Sequence, residues 1–227
     1  MAFHYKNVKP WGRSYDEYLQ MFDLSPDDLN LNILGIGDGP ASFNAVMASN
    51  QRKVVSVDPL YQMTVNEIRL CIKESFDEIL LQTIKNKNKF RWESIRNVRQ
   101  LGEIRMSAMN IFLEDFDKGK KEDRYIYGTL PKLEFADSSF DLILSSHLLF
   151  LYSDLLDLDF HIHSVSEMLR IANQVRIFPV LDANGEKSRH YYPLFDYLLS
   201  RGFDIKLKKV NYEFQIGGNE MLVITRK

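Results

Sequence analysis

Residues 30–40 (NLNILGIGDGP) constrain the fold more than any other stretch. A short apolar run hands over to glycines at positions 35, 37 and 39, and helical composition resumes over 41–50. A β-branched run at 53–57 follows and stops at Asp58-Pro59. Strand, glycine turn, helix, strand and acidic residue, in that order, begin an α/β doubly wound sheet.

The same alternation returns later. Residues 124–128, 140–145 and 174–181 read as the third, fourth and fifth strands, with a helix over 159–172 whose Val165, Met168, Leu169 and Ala172 share a face. A helix over 191–200 ends at Arg201-Gly202, a C-terminal cap. The tail reads as two strands, 204–210 and 220–225, around Gly217-Gly218-Asn219. Before the first strand, Tyr15, Tyr18, Leu19 and Phe22 predict a short amphipathic helix within 11–23. Between the second and third strands, roughly 60 residues exceed what a crossover needs. They contain no proline over 62–121 and carry apolar residues at helical spacing. We read them as a crossover helix plus a helical insertion over about 86–121, with the charged run 118–124 as a solvated loop.

Composition narrows the function classes. The chain has 227 residues, 45% of them hydrophobic, enough for a real core. Lys and Arg total 29 against 31 Asp and Glu, so the charge excess of a general nucleic-acid binder is absent. Trp92 among arginines 91, 96, 99 and 105 is diluted by Glu93, Glu103, Glu114 and Asp115, and fits a solvated face or a homodimer contact better. One cysteine, Cys71, excludes an intrachain disulfide and is expected in the core of a helix. With no secretory-type apolar segment at the start and no run long enough to span a bilayer, the expected location is cytoplasmic. Asp157, Asp159, His161 and His163 suggest a metal box, but on a helix positions two apart diverge, so no metal is expected. His161 would face the sheet and cleft and His163 solvent.

The glycine turn offers close backbone approach and free N–H groups at a helix start. The dinucleotide fingerprint needs glycine where Pro40 stands, and no Gly-Lys-Ser/Thr follows, so pyrophosphate and P-loop readings fail. Asp58 at the second strand end suits a ribose diol. These features describe a nucleoside ligand without a pyrophosphate.

Residues 34–41 (LGIGDGPA), 55–61 (VSVDPLY) and 133–146 (LEFADSSFDLILSS) resemble the first, second and fourth motifs of class I S-adenosylmethionine (SAM)-dependent methyltransferases. The stretches PWGRSYDEY, SHLLFLYSDLLDLDFH and YEFQIGGNEML resemble a bacterial subgroup of unknown substrate. The resemblance implies one domain over 1–227: a seven-stranded Rossmann-like sheet, doubly wound, with an antiparallel last strand and a helical insertion after strand 2. It implies SAM as methyl donor, S-adenosylhomocysteine (SAH) as product and a small-molecule methyl acceptor. RNA or protein acceptors, a non-catalytic SAM-binding role and a nicotinamide-dependent oxidoreductase are the rivals.

The site residues follow from the resemblance. Gly35, Gly37, Asp38 and Gly39 form the cofactor turn, Asp58 accepts from the ribose, and Leu60, Tyr61, Thr129 and Leu130 surround the adenine. The family has an acidic residue where this chain has Gly35, so Arg13 is expected to hold the cofactor carboxylate, with Tyr18 on the covering helix and Ser146 after the fourth strand. His147 is the candidate general base, with Tyr152 in the same pocket. Each has a plainer alternative: a tight turn for the glycines, a strand-end carboxylate for Asp58, a surface salt bridge for Arg13 and a structural hydrogen bond for His147.

Overall fold

β1 (Ile33–Ile36) is buried at all four positions, as a strand flanked on both sides and covered on both faces must be. In the computed structural model, which describes residues 8–226, it pairs in parallel with β2 (Val54–Val57) and with β4 (Phe140–Ser146). β3 (Tyr125–Ile126) extends the sheet beyond β2, and β5 (Ala172–Phe178) lies beyond β4, both parallel. β6 (Asp204–Lys209) and β7 (Glu220–Thr225) complete it in the order β3-β2-β1-β4-β5-β7-β6. β7 is antiparallel to both neighbours. The seven strands and the antiparallel last strand agree with the sequence expectation.

Alternating side chains divide the core in two. Leu34, Ile36 and Ile143 meet α5 (Leu158–Ile171) and α6 (Tyr191–Ser200) through Val165, Met168, Leu194 and Leu198. Ile33, Leu142 and Leu144 meet α1 (Tyr15–Met21) and α2 (Phe43–Ser49) through Tyr18, Met21, Phe43 and Met47. A third cluster joins Tyr61 and Tyr125 to α3 (Val65–Lys85) and α4 (Val98–Lys121) through Ile68, Ile72, Phe112 and Phe116.

Three expectations between β2 and β3 need correcting. First, the segment read as the insertion contains the crossover helix: α4 packs on α2 and β3, whereas α3 packs on α4, so α3 is the added helix. Second, residues 90–97 are not helical. The Arg91 amide donates to the Phe214 carbonyl (2.8 Å), and the Phe90 and Phe214 rings stack 4.8 Å apart. Aromatic docking on the β6–β7 connection outcompetes helix propensity there, and Asn97 then caps α4 by accepting from the Gln100 amide. Third, most of the charged run is helical, and only 122–124 leave the helix. α4 continues to Lys121, its last-turn lysines facing the negative end of the helix dipole. Arg124 is largely buried and forks onto Asp115 at 2.7 and 2.8 Å.

Candidate active site

The carboxyl ends of β1, β2 and β4 open into one cavity of about 470 Å³, within the range of small-molecule sites. On the β1 side the chain turns through Gly37 (φ 71°) and Gly39 (φ 52°), left-handed conformations that glycine adopts without strain. A β-carbon on Gly39 would have no neighbour closer than 4.0 Å, so this turn presents bare backbone to the cavity.

Asp58 locks the turn to β2. Its Oδ2 accepts from the Gly39 amide (2.9 Å) and its Oδ1 from the Leu60 amide (2.8 Å). Each oxygen keeps a second acceptor position. Burial raises its pKa, opposed by those two hydrogen bonds.

Asp38 and Gly35 form a pair that the sequence disguised. A β-carbon at position 35 would lie 1.8 Å from Asp38 Oδ2. The carboxylate of Asp38 therefore occupies the space that a side chain at position 35 would fill. Tyr18 donates to its Oδ1 (2.7 Å) and Ser56 to its Oδ2 (2.6 Å). Burial pushes Asp38 up to about 6, the hydrogen bonds from Ser56 and Tyr18 oppose it, and the charge of Asp58 adds to it.

The N-terminal segment crosses the cavity as a strap. Gly12 lets it press on the glycine turn, since a β-carbon there would lie 2.1 Å from the Pro40 carbonyl oxygen. The Arg13 carbonyl accepts from the Ser42 amide (3.0 Å), Lys9 pairs with Glu78 of α3 (2.9 Å), and the Lys9 amide donates to the Tyr152 hydroxyl (3.1 Å). Arg13 thereby lies beside the turn. Its Nη1 donates to the Trp11 carbonyl (3.1 Å), and its Nε is buried without a hydrogen-bond partner among the described residues.

At the end of β4, His147 sits at φ 52° and its amide donates to the Phe178 carbonyl (2.6 Å). A non-glycine residue is seldom held there without a local purpose. Its Nδ1 lies 2.8 Å from Ser146 Oγ. Burial, and then the charges of Arg13 and Arg105, push the imidazole well below its usual range, so it is neutral at pH 7.

Most predicted site residues meet in this cavity: Arg13, Tyr18, Gly37, Asp38, Gly39, Asp58, Leu60, Thr129, Leu130, Ser146, His147 and Tyr152 all line it. Two do not. Gly35 contributes space for Asp38, and Tyr61 is fully buried in the α3–α4 core, where its hydroxyl donates to the Gly39 carbonyl (2.7 Å). Tyr61 supports the turn from behind. His161 lies away from the cleft, buried between the Asp157 and Leu149 carbonyls. Cys71 is half-buried on α3.

Sequence reasoning missed a network on the far wall. Arg105 of α4 is fully buried and donates through Nη1 to Glu17 Oε2. The Tyr212 hydroxyl donates to Glu17 Oε1 (2.7 Å), and the Ser14 amide donates to Glu17 Oε2 (2.9 Å) as half of the α1 capping box. Burial pushes the Glu17 carboxyl up, but the charges of Arg105 and Arg13 and the hydrogen bonds from Arg105 and Ser14 outweigh it and hold it at about 2. Arg105 and Tyr212 line the cavity. The arginine was visible only as one of a scattered basic set.

No family model matches the chain. The uncharacterized protein MJ0045 of Methanocaldococcus jannaschii is 34% identical over 217 residues, 95% of each chain. That relative is archaeal, so the kinship reaches outside the bacterial subgroup expected from the sequence. Among solved structures, a TehB-like SAM-dependent methyltransferase from Corynebacterium glutamicum matches 94% of this chain and 88% of its own, at 15% identity and a TM-score of 0.50. Magnesium protoporphyrin IX methyltransferase from Synechocystis PCC 6803, solved with bound SAM, matches 87% of this chain and 71% of its own at 11% identity and a TM-score of 0.45. The fold is that of the Rossmann-like SAM-dependent methyltransferases. No helix among the described residues is long and apolar enough to cross a membrane.

Proposed function

The chain belongs to one family with MJ0045 of Methanocaldococcus jannaschii, and we propose that it is a methyltransferase moving the methyl group of SAM to a small-molecule nucleophile. The observation that carries the reading is the Asp58 carboxylate, fixed by the Gly39 and Leu60 amides beside an open glycine turn. That arrangement suits a ribose diol at the strand ends of a doubly wound sheet.

The remaining lining fits the rest of the donor. Leu60 and Leu130 offer apolar packing for a purine, with Thr129 beside them. Asp38, deprotonated above about pH 6, faces the cavity as the partner for an ammonium group. Arg13, with its unpartnered Nε, suits a carboxylate. Bound SAM supplies an electrophilic methyl carbon on a sulfonium. The chain's own share is to hold that carbon and the nucleophile in line and to exclude water, the strap and α3 closing the cavity. With Nδ1 engaged by Ser146, Nε2 of His147 is the nitrogen left to take a proton from a protonated nucleophile. Tyr152 borders the same space. The near-neutral composition and the single Cys71 fit an intracellular enzyme of small molecules better than one acting on nucleic acid.

Calorimetric titration with SAM and SAH tests the proposal. The wild type binds both, and Asp58→Ala loses at least about tenfold in affinity, the scale of a lost charge-assisted hydrogen bond. His147→Ala keeps SAH binding and loses turnover; unchanged turnover removes its assignment as base. A folded protein that binds neither compound refutes the function.

A further inference from the structure

Arg105 is an arginine committed at one end only. Its Nη1 donates to Glu17, while Nε and Nη2 are buried without a hydrogen-bond partner among the described residues. Those two atoms form one side of the guanidinium fork, the side that pairs with both oxygens of a carboxylate. Buried donors of native proteins find partners, and the neighbouring acids are engaged elsewhere. Glu17 accepts from Tyr212, Ser14 and the Nη1 end of Arg105. Asp38 accepts from Tyr18 and Ser56, and Asp58 from two backbone amides.

Arg105 lines the cavity with this side of its fork buried, and its surroundings differ from those of Arg13. Arg13 is tied to the glycine turn through Ser42. Arg105 stands one turn along α4 from Leu101, with Tyr212 beside it, and Leu101, Phe90 and Phe214 add apolar lining to the same cavity. A second cation and an apolar wall, beyond what the methyl donor needs, describe an acceptor with an acidic group and an apolar body.

Resting on the methyltransferase reading, we propose that the methyl acceptor is an organic acid whose carboxylate, or an equivalent oxyanion, is bound two-pronged by Nε and Nη2 of Arg105. Binding of that anion also places a negative charge near His147, which burial and then the charges of Arg13 and Arg105 otherwise keep neutral.

The test is calorimetric titration of the SAH-saturated protein with benzoate and acetate, each against its neutral amide, benzamide and acetamide. Benzoate is expected to bind at least about tenfold more tightly than benzamide, and Arg105→Gln to abolish the preference while SAH affinity stays within about threefold of wild type. Should Arg105→Gln unfold, Arg105→Lys keeps a cation for Glu17 and still cannot offer the fork, so the preference falls there too. Acids and amides binding alike, or neither binding, overturns the proposal. Loss of SAH affinity in Arg105→Lys with unchanged affinity for 5′-methylthioadenosine, which lacks the amino-acid end, also overturns it, because the anion held is then the donor's own carboxylate. The titrations repeated without SAH separate the two readings. Arg105-dependent benzoate binding in a protein that never binds SAH leaves the anion site standing and refutes the methyltransferase.

Discussion

Position 35 and position 38 share one volume, and that exchange explains how a glycine stands where the methyltransferases this chain resembles carry an acid. The carboxylate reaches the same place from three residues later, held by Tyr18 and Ser56. Gly35→Ala therefore forces a methyl into an occupied space and is expected to cost roughly 1–3 kcal/mol. In Gly35→Ala/Asp38→Ala the clash is gone, so a double-mutant cycle by urea unfolding returns a favourable coupling of about 1–2 kcal/mol. Additive losses would mean that Asp38 moves aside freely. The glycine turn and Asp58 were legible in the sequence because each depends on neighbours within a few positions. Arg105 and Tyr212 were not: their common partner Glu17 lies 88 and 195 positions away. Tyr61 misled for a related reason. Its proximity to Asp58 in sequence is real, but its side chain turns into the α3–α4 core.

At the level of elements, strands and helices read well where one local pattern decided them. β4 and the helix α6 fall within a residue of the expected bounds. The region between β2 and β3 did not, because two helices of similar composition compete for one place against the sheet. What selects α4 is close approach at its end. Gly119 abuts Tyr125 of β3, where a β-carbon would lie 2.4 Å from the ring, and Tyr125 is itself fixed by donating to Asp115 (2.9 Å). Gly119→Val is thus expected to destabilise by roughly 1–3 kcal/mol despite a better helix propensity. In a chain of this size that is a fall of about 2–12 °C in Tm by scanning calorimetry. An unchanged or higher Tm would show that β3 yields and that the helix end is not held by this contact. α3 presents Leu70, Leu81 and Ile84 outward, consistent with a helix added outside the core layers.

Across the whole molecule, Glu17 joins α1, α4 and the β6–β7 connection through Arg105 and Tyr212. Its carboxyl titrates at about 2 in the folded chain against an ordinary value of 4.5. A depressed acid contributes stability that is present above the unfolded value and lost as pH falls from about 4.5 towards 2, on the order of 3 kcal/mol for a shift of this size. Glu17→Gln should therefore be less stable than wild type at pH 7, and the gap should narrow as pH drops through that window in urea melts. A gap that stays constant down to pH 2 would show that Glu17 acts through packing alone.

β7, the last strand in chain order, lies between β5 and β6 rather than at the edge. With every strand up to β6 in place the sheet would still have a slot in it, and the contacts of Arg105 and Tyr212 with Glu17 join segments far apart in the chain. A chain lacking β7 is therefore expected to lose β6 from the sheet as well, since β6 pairs with β7 alone.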